Sequence, residues 1–177
     1  MIYQTVLSTS GNGISGETQR LSSVPSQPEG CVVDPRTGTL YIGEELAGVW
    51  AIDTRTGEKE MVAPAGTGMT VPDVEGLAFA PEGENAGYLV ASSQGDNAFA
   101  VYSLPGHQPL GRFRIAEGAF GSVEETDGID LDPRGFGPDY PGGLFVAQDG
   151  VNPPEAQNFK MVRWDRVLES LNAGGSE

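Results

Sequence analysis

The sequence predicts an all-β fold of repeated antiparallel sheets, and three observations carry that prediction. Glycine and proline number 26 and 13 among 177 residues, yet Val, Leu, Tyr and Phe are interleaved throughout, so the chain is turn-rich without being compositionally disordered. Its apolar runs have strand length and carry acid or amide residues at their ends, as in VPDVEGLAFAPEGENAGYLVASSQGDNAFAVYSL. The third observation is an internal repeat: PEGCVVDPRTGTLYIGEELAGVWAID from Pro28, VEGLAFAPEGENAGYLVASSQGDNAFAVYSL from Val74, and TDGIDLDPRGFGPDYPGGLFVAQDGVN from Thr126, continuing to NFKMVRWD. Its markers are Glu29-Gly30, Glu75-Gly76 and Asp127-Gly128, spaced by 46 and 52 residues. A period of about 40 to 50 residues with several strands per unit is the signature of propeller blades. The predicted fold is therefore a β-propeller arc of about three four-stranded blades; a three-sheet stack of another β architecture is the plainer alternative.

Each unit justifies its strands in order. The acid-glycine pair opens a short inner strand, a turn containing Pro35, Pro81 or Pro133 follows, and LYIGEE, YLVASSQ or LFVAQDG forms the second strand. GVWAID, AFAVYSL or FKMVRWD forms the third. An outer strand is read at residues 111–118, and another at residues 18–25, ahead of the first unit and assigned to a preceding blade. None is read after the third unit, where DRVLESLNAGGSE suggests one or two amphipathic helical turns and a flexible Gly-Ser end. The organisation expected is an N-terminal segment 1–25, blades at about 26–70, 71–118 and 119–168, and a flexible tail 169–177. Three blades leave open edges, so the arc is expected either to belong to a larger propeller or to be completed as a homodimer.

Composition narrows the function. Asp and Glu number 25 against 10 Lys and Arg, a formal charge of -15, which argues against a nucleic-acid or anionic-membrane surface. No run of 18 apolar residues occurs, and MIYQTVLSTSGNG has neither a basic leader nor an apolar signal core, so the chain is expected to be soluble as it stands. A single cysteine, Cys31, excludes an internal disulfide and a cysteine-rich zinc site, and is read as a small buried apolar residue. The single histidine, His107, lies in the turn LPGHQPLG, which leaves little basis for histidine catalysis. RTGTLY and GNGISG lack the strand-to-helix setting and the Lys of a phosphate-cradling loop. Trp50, Trp164, Tyr88 and Phe145 are read as packing between blades.

The acids are the informative residues. An acid just before an innermost strand stands at the mouth of a propeller's central channel, so repetition brings Glu29, Asp73, Glu75 and Asp127 to one rim, joined by Glu44, Glu45, Gln94, Gln148 and Asp149. Taken singly, Glu-Gly and Asp-Gly are ordinary turn pairs. In register beside a second acidic set, they suggest a hard-cation site, because oxygen ligands without His or Cys select Ca²⁺ over zinc or copper.

These same phrases resemble the β-propeller phytases, the alkaline calcium-dependent 3-phytases. PEG, LYIGEE with VWAID, DVEGL, GYLVASSQG, TDGIDL, GPDYPGGLFVAQDG and NFKMVRWD run in family order from about Ser26 to Val167. The resemblance implies half of a six-bladed, secreted or periplasmic propeller that releases phosphate from phytate, inositol hexakisphosphate, using several Ca²⁺ ions. It implies catalytic and metal-holding roles for Glu29, Glu45, Asp73 and Glu75, with Gln94 beside them as a metal ligand, and places Asp127, Asp149 and Asn152 in the family's other calcium loops. The sequence departs from the family at GAFGSVEE, which lacks an Asp-Gly step, and at Val151, where an acid is common. The Lys, Arg and Tyr with which the family's N-terminal blades grip phosphate have no counterpart here. The implied substrate is calcium phytate; the rival readings are a non-catalytic calcium-binding propeller module and a lactonase-like propeller hydrolase.

Overall fold

Residues 1–174 are described by the computed structural model, and among them thirteen strands form four antiparallel sheets, followed by one helix. β1 (Ile2–Ser10) and β2 (Gly13–Ser22) make a two-stranded hairpin. β3 (Pro28–Asp34), β4 (Thr39–Glu44), β5 (Gly48–Asp53) and β6 (Lys59–Pro64) form the four-stranded first blade, each strand paired with the next. β7 (Val74–Glu82), β8 (Ala86–Ser93), β9 (Ala98–Leu104) and β10 (Gln108–Phe113) repeat that meander as the second. β11 (Ile129–Asp132), β12 (Leu144–Asp149) and β13 (Asn158–Arg163) form a three-stranded third blade, and β13 runs directly into α1 (Trp164–Gly174).

Period-two alternation puts an apolar layer on both faces of the second blade. Leu77, Leu89, Ala91, Ala100 and Tyr102 point one way and pack with Tyr41, Val49 and Ala63 of the first blade. Ala78, Val90, Phe99 and Val101 point the other way, against Leu131, Phe145 and Ala147 of the third. A smaller core of Ile42 and Ile52 with Ile2 and Val24 seats the N-terminal hairpin on the first blade's remaining face. The sheets therefore stack in the order hairpin, first, second, third blade. Each fully buried Leu or Phe in these layers contributes roughly 1.5–3 kcal/mol. The four aromatic residues read as packing all lie here: Trp50 beside the hairpin core, and Tyr88, Phe145 and Trp164 between the second and third blades.

Several elements differ from the sequence reading. Of the segment at 18–25, residues 18–22 are the end of a longer strand, β2, paired with β1, and residues 23–25 follow it outside any strand. The first blade has its own outer strand, β6, unread because KEMVAP opens with two charges and ends in proline. Residues 169–174, assigned to a flexible tail, continue α1, because Trp164, Val167, Leu168 and Leu171 form a stripe that packs onto the core between blades. The Gly-Ser end, residues 175–177, lies outside the described residues. Cys31 is exposed rather than buried: its neighbour Val32 takes the inward face of β3 and turns Cys31 and Val33 to the face the hairpin leaves uncovered. None of the described helices is long and apolar enough to cross a membrane.

Candidate active site

Two of the three acid-glycine pairs are β-bulges, not turns, and the third, Asp127-Gly128, lies just ahead of β11. Pairing of β3 with β4 slips between Pro28 and Cys31, and pairing of β7 with β8 slips between Val74 and Leu77, so Glu29-Gly30 and Glu75-Gly76 are the unpaired residues. A bulge re-aims a side chain out of the ladder, here at the start of β3 and of β7. The glycines explain the spacing between strands. A Cβ on Gly30 would stand 2.4 Å from the Glu75 carbonyl oxygen, and one on Gly76 would stand 2.7 Å from that of Asp127. Only bare backbone lets β3, β7 and the approach to β11 lie this close, and that closeness brings Glu29, Glu75 and Asp127 to one rim.

The loop before β7 and the turn between β4 and β5 add one acid each, Asp73 and Glu45. Asp73 has φ +85, uncommon for any residue with a side chain. It is held there because the Glu45 carbonyl accepts from the Asp73 and Val74 amides at 2.8 and 3.0 Å, while the Asp73 carbonyl accepts from the Gln94 amide at 2.9 Å. Glu45 and Asp73 are thus clamped together by backbone, leaving their carboxylates uncommitted to those bonds. Three glutamines tie the rim. Gln94 Nε2 donates to Asp127 Oδ1 at 2.7 Å, Gln148 Oε1 accepts from the Asp127 amide at 2.8 Å, and Gln27 donates to Glu29.

Glu75 sits at the centre of this group. Burial, then the charges of Glu29, Asp73, Asp127 and Glu45, push its carboxyl up to about 7. A carboxyl surrounded by four others in a half-buried mouth is the arrangement that a hard cation relieves, and the donor set of Glu, Asp and Gln oxygens fits calcium. Among the described residues, no three acid, His or Cys side chains stand arranged to hold a metal ion.

Other sequence-assigned residues are committed to partners of their own. Asp149 is fully buried and ion-paired with Lys160, and it accepts from the Glu124 amide at 3.1 Å. The Lys160 ammonium also reaches Asn152 Oδ1 at 3.4 Å and Asn158 Oδ1 at 3.2 Å. Asp149 and Asn152 thus share an ammonium ion supplied by β13. Burial opposes ionisation of Asp149, but Lys160 and the backbone donors outweigh it and hold the carboxyl below its usual range. Glu44 is also structural: its buried carboxylate takes the Ser26 hydroxyl at 2.6 Å and the Trp50 indole N–H at 2.7 Å. Gln27 and Lys160 went unread in the sequence; Gln27 stands two residues before Glu29, while nothing local marks Lys160 as the partner of an aspartate on the preceding strand.

Fold and rim together define an arc of propeller-like blades with a cluster of acids at the start of its inner strands. The Phytase family model matches residues 2–175. A 3-phytase of Bacillus subtilis (strain 168) is 40% identical over 169 residues, covering 89% of this chain and 44% of the relative. The chain belongs to the phytase family, and it spans less than half the length of that curated relative.

Proposed function

We propose that this chain supplies the acidic side of a calcium-assisted site that releases phosphate from phytate. The observation that carries the proposal is the convergence of Glu29, Glu45, Asp73 and Asp127 around Glu75, in a chain of the phytase family. Basic groups of the chain are poorly placed to hold a polyanion: eight of its ten Lys and Arg residues are already paired with carboxylates. A protein of charge -15 therefore attracts phytate through bound cations.

In this reading Glu29, Glu45, Asp73 and Glu75 hold calcium, with Gln94 and Asp127 at the edge of the site. Calcium would supply charge neutralisation between carboxylate and phosphate and would acidify adjacent water. Glu75, at the centre of the acids, takes the proton of the water that attacks phosphorus, and the leaving inositol oxygen is protonated in turn. The phosphorus–oxygen bond to inositol breaks, leaving inorganic phosphate and an inositol hydroxyl. Gln94 and Gln148 fix the orientation of Asp127, and Gln27 that of Glu29.

The test is phosphate release from phytate by the chain, measured with calcium and with a chelator. The expected outcome is release that requires calcium. Release unaffected by the chelator would remove calcium from the reading, while calcium binding without release would leave the non-catalytic binding module.

A further inference from the structure

The loop between β12 and β13 is a second place where oxygen atoms converge, and its centre is already filled. Asp149 and Asn158 pair across the β12–β13 ladder, and Lys160, two residues beyond Asn158, shares their face of the sheet. Its ammonium donates to Asp149 Oδ2, to Asn158 Oδ1 at 3.2 Å and to Asn152 Oδ1 at 3.4 Å. An ammonium has three N–H donors, and these acceptors use them all. The acceptors are fixed in turn. Asp149 Oδ1 takes the amides of Glu124 at 3.1 Å and Val151 at 3.4 Å, while Asn152 Nδ2 donates to the Ala156 carbonyl at 3.0 Å and so turns its Oδ1 toward the lysine.

Charge balance separates this group from the rim. At the rim four acids oppose Glu75; here one carboxylate meets one ammonium, with side chains only 1% and 11% exposed. Val151, next but one along the loop, is apolar and 45% exposed, so it brings no second acid. A divalent ion entering the loop would meet the ammonium as a like charge, with a single carboxylate to offset both. It would also find the oxygens already in use, where calcium takes about six to eight. The residues of this loop therefore do not fit the calcium ion that the resemblance assigned to Asp149 and Asn152.

We propose that Lys160 is the resident cation of this loop: its ammonium stands where a metal ion would, and Asp149, Asn152 and Asn158 hold that side chain and no calcium. The arrangement reaches the rim through two short links. Asp149 holds the Glu124 amide, and the Glu124 carbonyl accepts from the Gly150 amide at 2.8 Å, which ties the approach to Asp127 onto the end of β12. Gln148, the residue before Asp149, holds the Asp127 amide at 2.8 Å. Lys160 thus keeps the third blade's side of the rim in place with calcium present or absent, and the proposal does not depend on what the rim itself binds.

Acetylation of the folded chain by an amine-directed reagent, mapped by mass spectrometry, tests this on the unaltered protein, because Lys59 and Lys160 are its only lysines. Lys59 is exposed and should react, while Lys160 should stay unmodified in calcium and in a chelator alike. A calcium titration of Asp149→Asn by isothermal calorimetry is the second arm, and it should return the same number of bound ions as the wild type. Lys160 reacting as readily as Lys59, or becoming reactive when calcium is added, would overturn the proposal, the second because the metal would then be displacing the ammonium. Loss of one bound calcium in a folded Asp149→Asn would overturn it as well; should that variant fail to fold, the acetylation pattern of the wild type decides.

Discussion

Glu75 is the residue on which the proposed chemistry turns. Exchange for glutamine keeps its size and removes the charge that its four neighbours oppose, so the fold should survive and calcium should bind more weakly. Phosphate release by Glu75→Gln is expected to fall by about 10² or more, the usual scale for loss of a positioned acid-base or charge-stabilising group. Activity within a few fold of wild type at equal calcium content would take Glu75 out of the mechanism. Glu44 makes the opposite prediction. Burial opposes its ionisation, but hydrogen bonds from Ser26 and Trp50 outweigh burial and hold its carboxyl below the usual range. Glu44→Ala strands those donors and should lower unfolding free energy by about 1–3 kcal/mol, measured by urea denaturation, while calcium binding persists. The sequence brought both glutamates to the rim because each stands at a strand end; only the neighbouring side chains separate a site acid from a structural one.

At the scale of elements, the inner strands depend on bare backbone. Gly30→Ala and Gly76→Ala each force a Cβ into a neighbouring strand, where the obstructing atoms are main chain and cannot rotate away. Each is expected to destabilise by about 1–3 kcal/mol or more, the range for overpacking, as a lowered urea midpoint. Unchanged midpoints in both would mean the strands are not packed this closely. The repeat made these pairs visible in the sequence, together with the strands they open, because identical local chemistry recurs at each blade. Their bulged form was not visible, since a bulge is defined by the count of residues on the partner strand. Lys160 was hidden for a related reason: it meets Asp149 only through the β12–β13 register, eleven positions along the chain. The end of α1 was misjudged because its anchor, the cleft between the second and third blades, exists only after the sheets stack.

At the scale of the whole molecule, two sets of carboxylates work against each other. Asp34, Glu44, Asp96 and Asp149 all have folded-state values below their ordinary ones, so their contribution is complete above the usual carboxylate range and is lost as pH falls below it. Glu75 has the reverse sign. Its carboxyl rises from 4.5 to about 7 on folding, so between those values the folded chain keeps a proton that the unfolded chain has released. Stability therefore falls as pH rises through that window and is flat above it. Without divalent cations, the melting temperature is expected to peak at about pH 5 and to decline toward about pH 8, from the signs of these two sets. In the proposed site calcium would bind the ionised rim of the folded chain alone, so it should raise the melting temperature most at the alkaline end and flatten the decline. Melting curves taken with a chelator, with calcium and with magnesium from about pH 4 to about pH 8 check both limbs. A chelated chain as stable at the alkaline end as at its acid peak would show that the rim carboxylates do not repel one another, and with that the electrostatic case for a cation among them would fail.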